Sequence, residues 1–201
     1  MDWDREWVER YHRKQTTTRT ALARLQREYR IARGLLGELS PGALVLDAPC
    51  GIGPHTRRLR EDGFRVLALD VNPWMLAYAQ REAEPERCLQ GDLQRLPLAD
   101  QVVDAAIVIR IFHYLDQPAE RRRVLAELAR VVRGRVVISF MHPVAMAPLL
   151  KRRPTRKTQT LGEIRADAAA CGLRVAKVRP VLPFVKRMWF AALEAAPATG
   201  G

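Results

Sequence analysis

The stretch LVLDAPCGIGPHTRRLR, residues 44–60, decides how the rest of the chain is read. Its apolar opening, Leu44-Val45-Leu46, suits a strand buried in a parallel sheet. Gly51 and Gly53 follow, and then an Arg-rich segment from His55 to Arg60 with helical character. Glycines between a strand and a helix let backbone amides approach a ligand, and a helix N-terminus favours anionic or electron-rich groups. Asp47, closing the strand, repels phosphate and suits a ligand that offers hydroxyls or positive charge. Taken alone, the glycine pattern describes an ordinary strand-to-helix turn as well as it describes a ligand loop.

Further along, the same alternation repeats. Gly63 ends the first crossover helix, FRVLALD gives a second buried strand ending at Asp70, and Asn72-Pro73 opens the helix WMLAYAQREAE. A third strand is expected from Arg87 to Gln90, ahead of Gly91-Asp92; VVDAAIVI supplies a fourth and RVVISF a fifth, separated by the helix PAERRRVLAELARVV. Alternating strands and helices with short turns predict an α/β, Rossmann-like sheet built from right-handed βαβ units. Beyond a basic loop from His142 to Thr160, a helix around Gly162–Cys171 leads to two strands, LRVAKVRPV and VKRMWFAAL. Pro180 and Pro183 bracket a connection short enough for a hairpin, so the sheet is expected to end antiparallel.

Upstream, residues 1 to about 40 read as a helical cap ended by Ser40-Pro41-Gly42, with Leu22, Leu25, Tyr29, Ala32, Leu35, Leu36 and Leu39 at three- and four-residue intervals. Trp3, Trp7 and Tyr11 form one aromatic stripe that packs on the main domain or covers a pocket. Residues 41–201 then form the main domain, within a single globular unit of 201 residues. The formal charge of +12 is carried mostly by arginine and favours anionic partners, or reflects base composition alone. Three separated cysteines, Cys50, Cys88 and Cys171, with no Cys-x-x-Cys pair, argue for a reducing compartment and against a zinc or disulfide framework. The N-terminus lacks the continuous apolar segment of a signal peptide or membrane span, so a cytoplasmic protein is expected, with its oligomeric state open.

Three acids fall at equivalent places: Asp47 after the first strand, Asp70 after the second and Asp92 after the third. In an open parallel sheet these strand ends gather around one crevice. Asp70, placed after the glycine loop, is suited to both hydroxyls of a ribose; Asp92 is suited to an adenine amine, with Leu93 beside it and Met75 or Trp74 packing on the base. Each acid also reads as a turn or cap residue.

DAPCGIG, LALDVNPWML and GDLQRLPLADQVVDAAIVIRIFHYL together resemble the successive motifs of class I S-adenosylmethionine-dependent methyltransferases, nearest to the small-molecule branch that includes the quinone-biosynthesis enzymes. The resemblance implies seven strands, mostly parallel with an antiparallel C-terminal strand, helices on both faces, and S-adenosylmethionine across the first strands' carboxyl ends. It implies cofactor contacts at Asp47, Pro49, Gly51, Gly53, Asp70, Val71, Met75, Asp92, Leu93 and Arg110, with Pro49 standing where that family more often has glycine. Arg110 reads either as an anion clamp for the acceptor or as a surface base, and His113 either as a general base or as a loop-packing residue. His142 and Tyr11 are weaker candidates, and Cys50 reads as a small filler.

No metal site is expected. The cluster KRRPTRK, residues 151–157, would suit an anionic small-molecule acceptor or stand solvated. RNA ranks second, since neither interleaved aromatics nor an added binding module is visible, and a non-catalytic binding protein ranks third. A dinucleotide fingerprint fails because Thr56 stands where its third glycine belongs, and no Gly-Lys-Ser/Thr follows for a P-loop.

Overall fold

The computed structural model describes residues 4–143, 158–181 and 188–197. Chain order runs α1 (Arg5–Thr16), α2 (Arg19–Leu36), β1 (Leu44–Asp47), α3 (Pro54–Glu61), β2 (Arg65–Asp70), α4 (Pro73–Ala83), β3 (Arg87–Gln90), β4 (Ala105–Val108), a 3-10 turn (Phe112–Tyr114), α5 (Pro118–Val131), β5 (Val136–Met141), α6 (Leu161–Ala169), β6 (Leu173–Pro180) and β7 (Met188–Ala195). Among the described residues the seven strands form one sheet in the order β3-β2-β1-β4-β5-β7-β6. β1 to β5 pair in parallel, and β7 runs antiparallel to both β5 and β6. The chain therefore leaves β1 towards one edge, returns, and continues from β4 towards the other. The crevice beyond β1 and β4 is the place where such a reversal opens a ligand site.

Alternation along the strands assigns the two faces. Val45, Val66, Ile107 and Val137 pack with Tyr29, Ala32, Leu35 and Leu36 of α2 and Leu59 of α3. Leu46, Leu67, Val108 and Ile138 pack with Val124, Leu125 and Leu128 of α5 and Ile164 of α6. Two differences from the sequence expectation concern the N-terminal segment. It is two helices, because the Thr18 hydroxyl accepts from the Ala21 amide at 3.2 Å and starts a new helix after Thr17. It also ends at Leu36, where Gly37 takes a φ of 77°. Leu22, expected on the apolar stripe, faces outward. Thr18→Ala is expected to cost about 1 kcal/mol in urea denaturation, by removing that cap.

β4 is shorter than the expected strand, because Val103 pairs instead with Val132 beyond α5 and the Asp104 carboxylate takes the Leu44 amide at 2.8 Å. Arg121 of α5 is buried: its Nε donates to Asp167 at 2.7 Å, and Arg122 donates to the other oxygen of the same carboxylate at 2.9 Å. This pair ties α5 to α6. The basic cluster of residues 151–157 and Pro183 lie outside the described residues. No described helix is long and apolar enough to cross a membrane, and no group of three or more metal-ligating side chains occurs among the described residues.

Candidate active site

A cavity of about 230 Å³ opens at the carboxyl ends of β1, β2 and β4. Its floor is the loop after β1, with Pro49, Cys50, Gly51 and Ile52; one side is Asp70, Val71 and Met75; another is Ile109 to Ile111 with His113 and Tyr114. The roof is the N-terminal pair of helices, which contributes Trp7, Tyr11, Gln15 and Leu25. Trp7 and Tyr11 stack with ring centroids 5.1 Å apart, an outcome of their four-residue spacing on α1. The Asp4 carboxylate starts that helix by taking the Trp7 amide at 2.7 Å.

Asp70 is the acid that the structure brings to the cavity. It is buried, and it accepts from the Gly51 amide at 2.9 Å through one oxygen and from the Asn72 amide at 2.9 Å through the other. Burial raises its pKa, and the hydrogen bonds from Asn72, Gly51 and Val71 work against that rise. Gly51, at φ 54°, thus spends its amide on Asp70 while its own missing side chain leaves the cavity floor open.

Asp47 plays a different part. It is fully buried behind the floor, accepts from the Thr56 hydroxyl at 2.6 Å, and so fastens the end of β1 to α3. Burial, and secondarily the nearby Asp70, push its carboxyl up to about 7, with the Thr56 hydrogen bond pulling the other way. Gly53 also stands behind the cavity. At φ 82° it caps α3, and a Cβ there would come within 3.0 Å of the Ala79 Cα, so it is the packing of α3 on α4 that requires glycine.

Asp92 and Leu93 are not brought into this lining. Asp92 is exposed and accepts from the Gln94 amide at 2.9 Å, closing a turn, while Leu93 is buried in the core under the other face of the sheet. Met75 lines the cavity, whereas Trp74 is exposed beneath the Arg5 guanidinium, 5.8 Å from its ring centroid. Cys50 packs with Ala68, Leu76 and Ala79, and burial pushes its thiol well above the ordinary range. His142 stacks on Trp189 at 4.2 Å, away from the cavity lining.

Arg110 turns out to be neither a free clamp nor a surface base. Its backbone, at φ 67°, donates to the Ser139 hydroxyl at 2.8 Å, and its guanidinium makes a two-point pair with Glu28 of α2 at 3.0 and 2.7 Å. Burial opposes its charge, but the hydrogen bond and charge of Glu28 outweigh burial and raise its pKa. His113 is buried in the wall, its ring 4.3 Å from that of Tyr114. His55, which the sequence placed only in the helix, is the site residue missed. It lies in the cavity wall with Nδ1 buried and without a hydrogen-bond partner, and burial, reinforced by Arg110 and Arg58, depresses its pKa to about 3. Its position two residues after Gly53 was the available signal. Glu28 offered none, because its partner is 82 residues away.

Residues 46–140, from within β1 to within β5, match the family model of a methyltransferase domain. They form a class I S-adenosylmethionine-dependent methyltransferase domain. The chain is 41% identical over 99 residues to malonyl-[acyl-carrier protein] O-methyltransferase of Pectobacterium atrosepticum, covering 49% of this chain and 38% of that protein. The same-named protein of Serratia marcescens is 41% identical over 123 residues, covering 60% and 46%. The chain thus spans less than half the length of these curated relatives. In fold it is similar to the crystal structure of magnesium protoporphyrin IX methyltransferase from Synechocystis with bound S-adenosylhomocysteine, at a TM-score of 0.70 and 20% identity over 88% of this chain and 85% of that one.

Proposed function

We propose that the chain binds S-adenosylmethionine at the strand carboxyl ends and transfers its methyl group to a small-molecule acceptor held beneath α1. The observation that carries this reading is a single cavity lined both by the glycine loop with Asp70 and by the stacked Trp7 and Tyr11. The residues present fit such a cofactor. The Asp70 carboxylate, with the Gly51, Asn72 and Val71 amides on its roughly four acceptor sites, keeps acceptor capacity for a ribose hydroxyl. Pro49, Gly51 and Ile52 would border the methionine end, and Val71 and Met75 would flank the nucleoside. Asp47 and Gly53 act through Thr56 and Ala79 to hold the loop.

The bound cofactor supplies an activated sulfonium methyl, so alignment and exclusion of water account for much of the rate. The protein's contribution is then the aromatic roof, which shuts water out, and His113, whose imidazole can take a proton from a hydroxyl acceptor. The O-methyltransferase names of the relatives agree with an oxygen nucleophile on the acceptor. A roofed cavity of this size favours a small molecule over RNA.

The test pairs two measurements. Calorimetry with S-adenosylhomocysteine is expected to show one site per chain. Incubation of the protein and labelled S-adenosylmethionine with cell extract is expected to label the small-molecule fraction. Binding without any labelled product would favour a non-catalytic role, and label confined to RNA would displace the small-molecule reading.

A further inference from the structure

We infer that Glu28 sets the charge preference of the acceptor: it cancels Arg110, and the molecule methylated here is uncharged where it lies between α1 and the end of β4. This deepens the methyltransferase reading and rests on it.

The argument starts from the described cavity lining, where the charged side chains are Asp70 and Arg110. Asp70 faces the β2 side, beside Val71 and Met75, leaving Arg110 as the cation of the opposite wall. An unpaired arginine there would recruit a carboxylate or phosphate. Arg110 is not available for that. Its Nε and Nη2 are both taken by a carboxylate that is itself buried on α2, 3% exposed in its side chain, and its backbone is pinned to Ser139 on β5.

An anion entering this wall has two courses. It displaces Glu28, leaving a buried carboxylate unpaired, or it stays unpaired beside one; both cost far more than seating a neutral group. A further polar atom of the lining fits the same conclusion. His55 Nδ1 is buried and unpartnered in a ring held neutral, so it offers a hydrogen bond and no charge. Together with Trp7, Tyr11, Ile109 and Ile111, the wall suits an aromatic or aliphatic acceptor carrying an uncharged polar group.

The experiment uses two probes of the same shape, 4-hydroxybenzamide and 4-hydroxybenzoate, titrated by ligand-observed NMR into the full chain saturated with S-adenosylhomocysteine. The amide is expected to bind about tenfold or more tighter than the benzoate, the discrimination one unpaired charge produces in a shielded site. Glu28→Gln, which frees Arg110, is expected to tighten the benzoate about tenfold and leave S-adenosylhomocysteine affinity within about twofold. The double variant Glu28→Gln with Arg110→Gln leaves no unpaired charge and is expected to restore the preference for the amide. That variant carries the test should Glu28→Gln fail to fold.

Benzoate binding as tightly as the amide to the unaltered protein, failure of both probes to bind, an unchanged ratio in Glu28→Gln, or a benzoate preference in the double variant would each overturn the proposal. Failure of S-adenosylhomocysteine itself to bind is a separate outcome that removes the methyltransferase reading instead.

Discussion

Asp70→Ala is expected to weaken S-adenosylhomocysteine binding by about 2 to 4 kcal/mol, roughly 30- to 700-fold in Kd. Two losses combine. A ribose would lose the acceptor for its hydroxyls, and charge-assisted hydrogen bonds of that kind exceed neutral ones by about a factor of two. The Gly51 and Asn72 amides would also lose the carboxylate that holds them at 2.9 Å each, so the floor of the cavity and the start of α4 loosen together. The Asn72 side chain caps α4 through the Trp74 and Met75 amides, which limits the damage to the loop. Calorimetry alongside a thermal melt separates the two: unchanged affinity in a folded variant would remove Asp70 from the cofactor site, and lost affinity with a collapsed Tm would assign it to loop structure alone.

The second large effect is a pair of opposed pH dependences. Asp47 in the folded chain holds its proton up to about pH 7, whereas an unfolded aspartate releases it near pH 4. The folded state therefore carries the extra proton between those values, and its stabilising effect, complete below pH 4, is lost as pH rises through 7. His55 runs the other way. The unfolded imidazole protonates below about 6.5 while the folded one resists down to about 3, so stability is lost as pH falls through that window.

From about pH 4 to 6.5 the two contributions nearly cancel, each with a slope of about 1.4 kcal/mol per pH unit. Asp47→Asn should unmask the histidine and make stability rise with pH across the window, by about 3 kcal/mol relative to the unaltered protein. His55→Gln should unmask the aspartate and make stability fall by a similar amount. Urea denaturation at pH 4.5, 5.5 and 6.5 checks both, and variant profiles running parallel to the unaltered one would refute them.

The parts legible in the sequence were those governed by neighbours along the chain. The strand at Leu44–Asp47, the Asn72-Pro73 helix start, and the alternation that sends Val45 and Leu46 to opposite faces all follow from local periodicity and capping. The division of the N-terminal segment was local too, but a threonine is a common helix residue, and only its observed bond to Ala21 marks Thr18 as a boundary. What periodicity could not supply was the difference between residues at equivalent strand ends. Asp47, Asp70 and Asp92 share a position in the repeat, yet neighbouring donors turn them to three uses: Thr56 draws the first inward, Gly51 and Asn72 set the second at the cavity, and Gln94 keeps the third in a turn. The ion pair of Arg110 with Glu28 was invisible because it joins the sheet's fourth strand end to a helix far upstream.

The roof over the cavity has a consequence for how such proteins diverge. The family model matches residues 46–140, while Trp7, Tyr11, Gln15 and Leu25, which line the cavity, and Glu28, which pairs with Arg110, all precede that segment. A lineage can therefore exchange one acceptor for another by rewriting two short helices, with the ancestral catalytic half still plainly readable. Two chains that look like sisters across the sheet can then make different products.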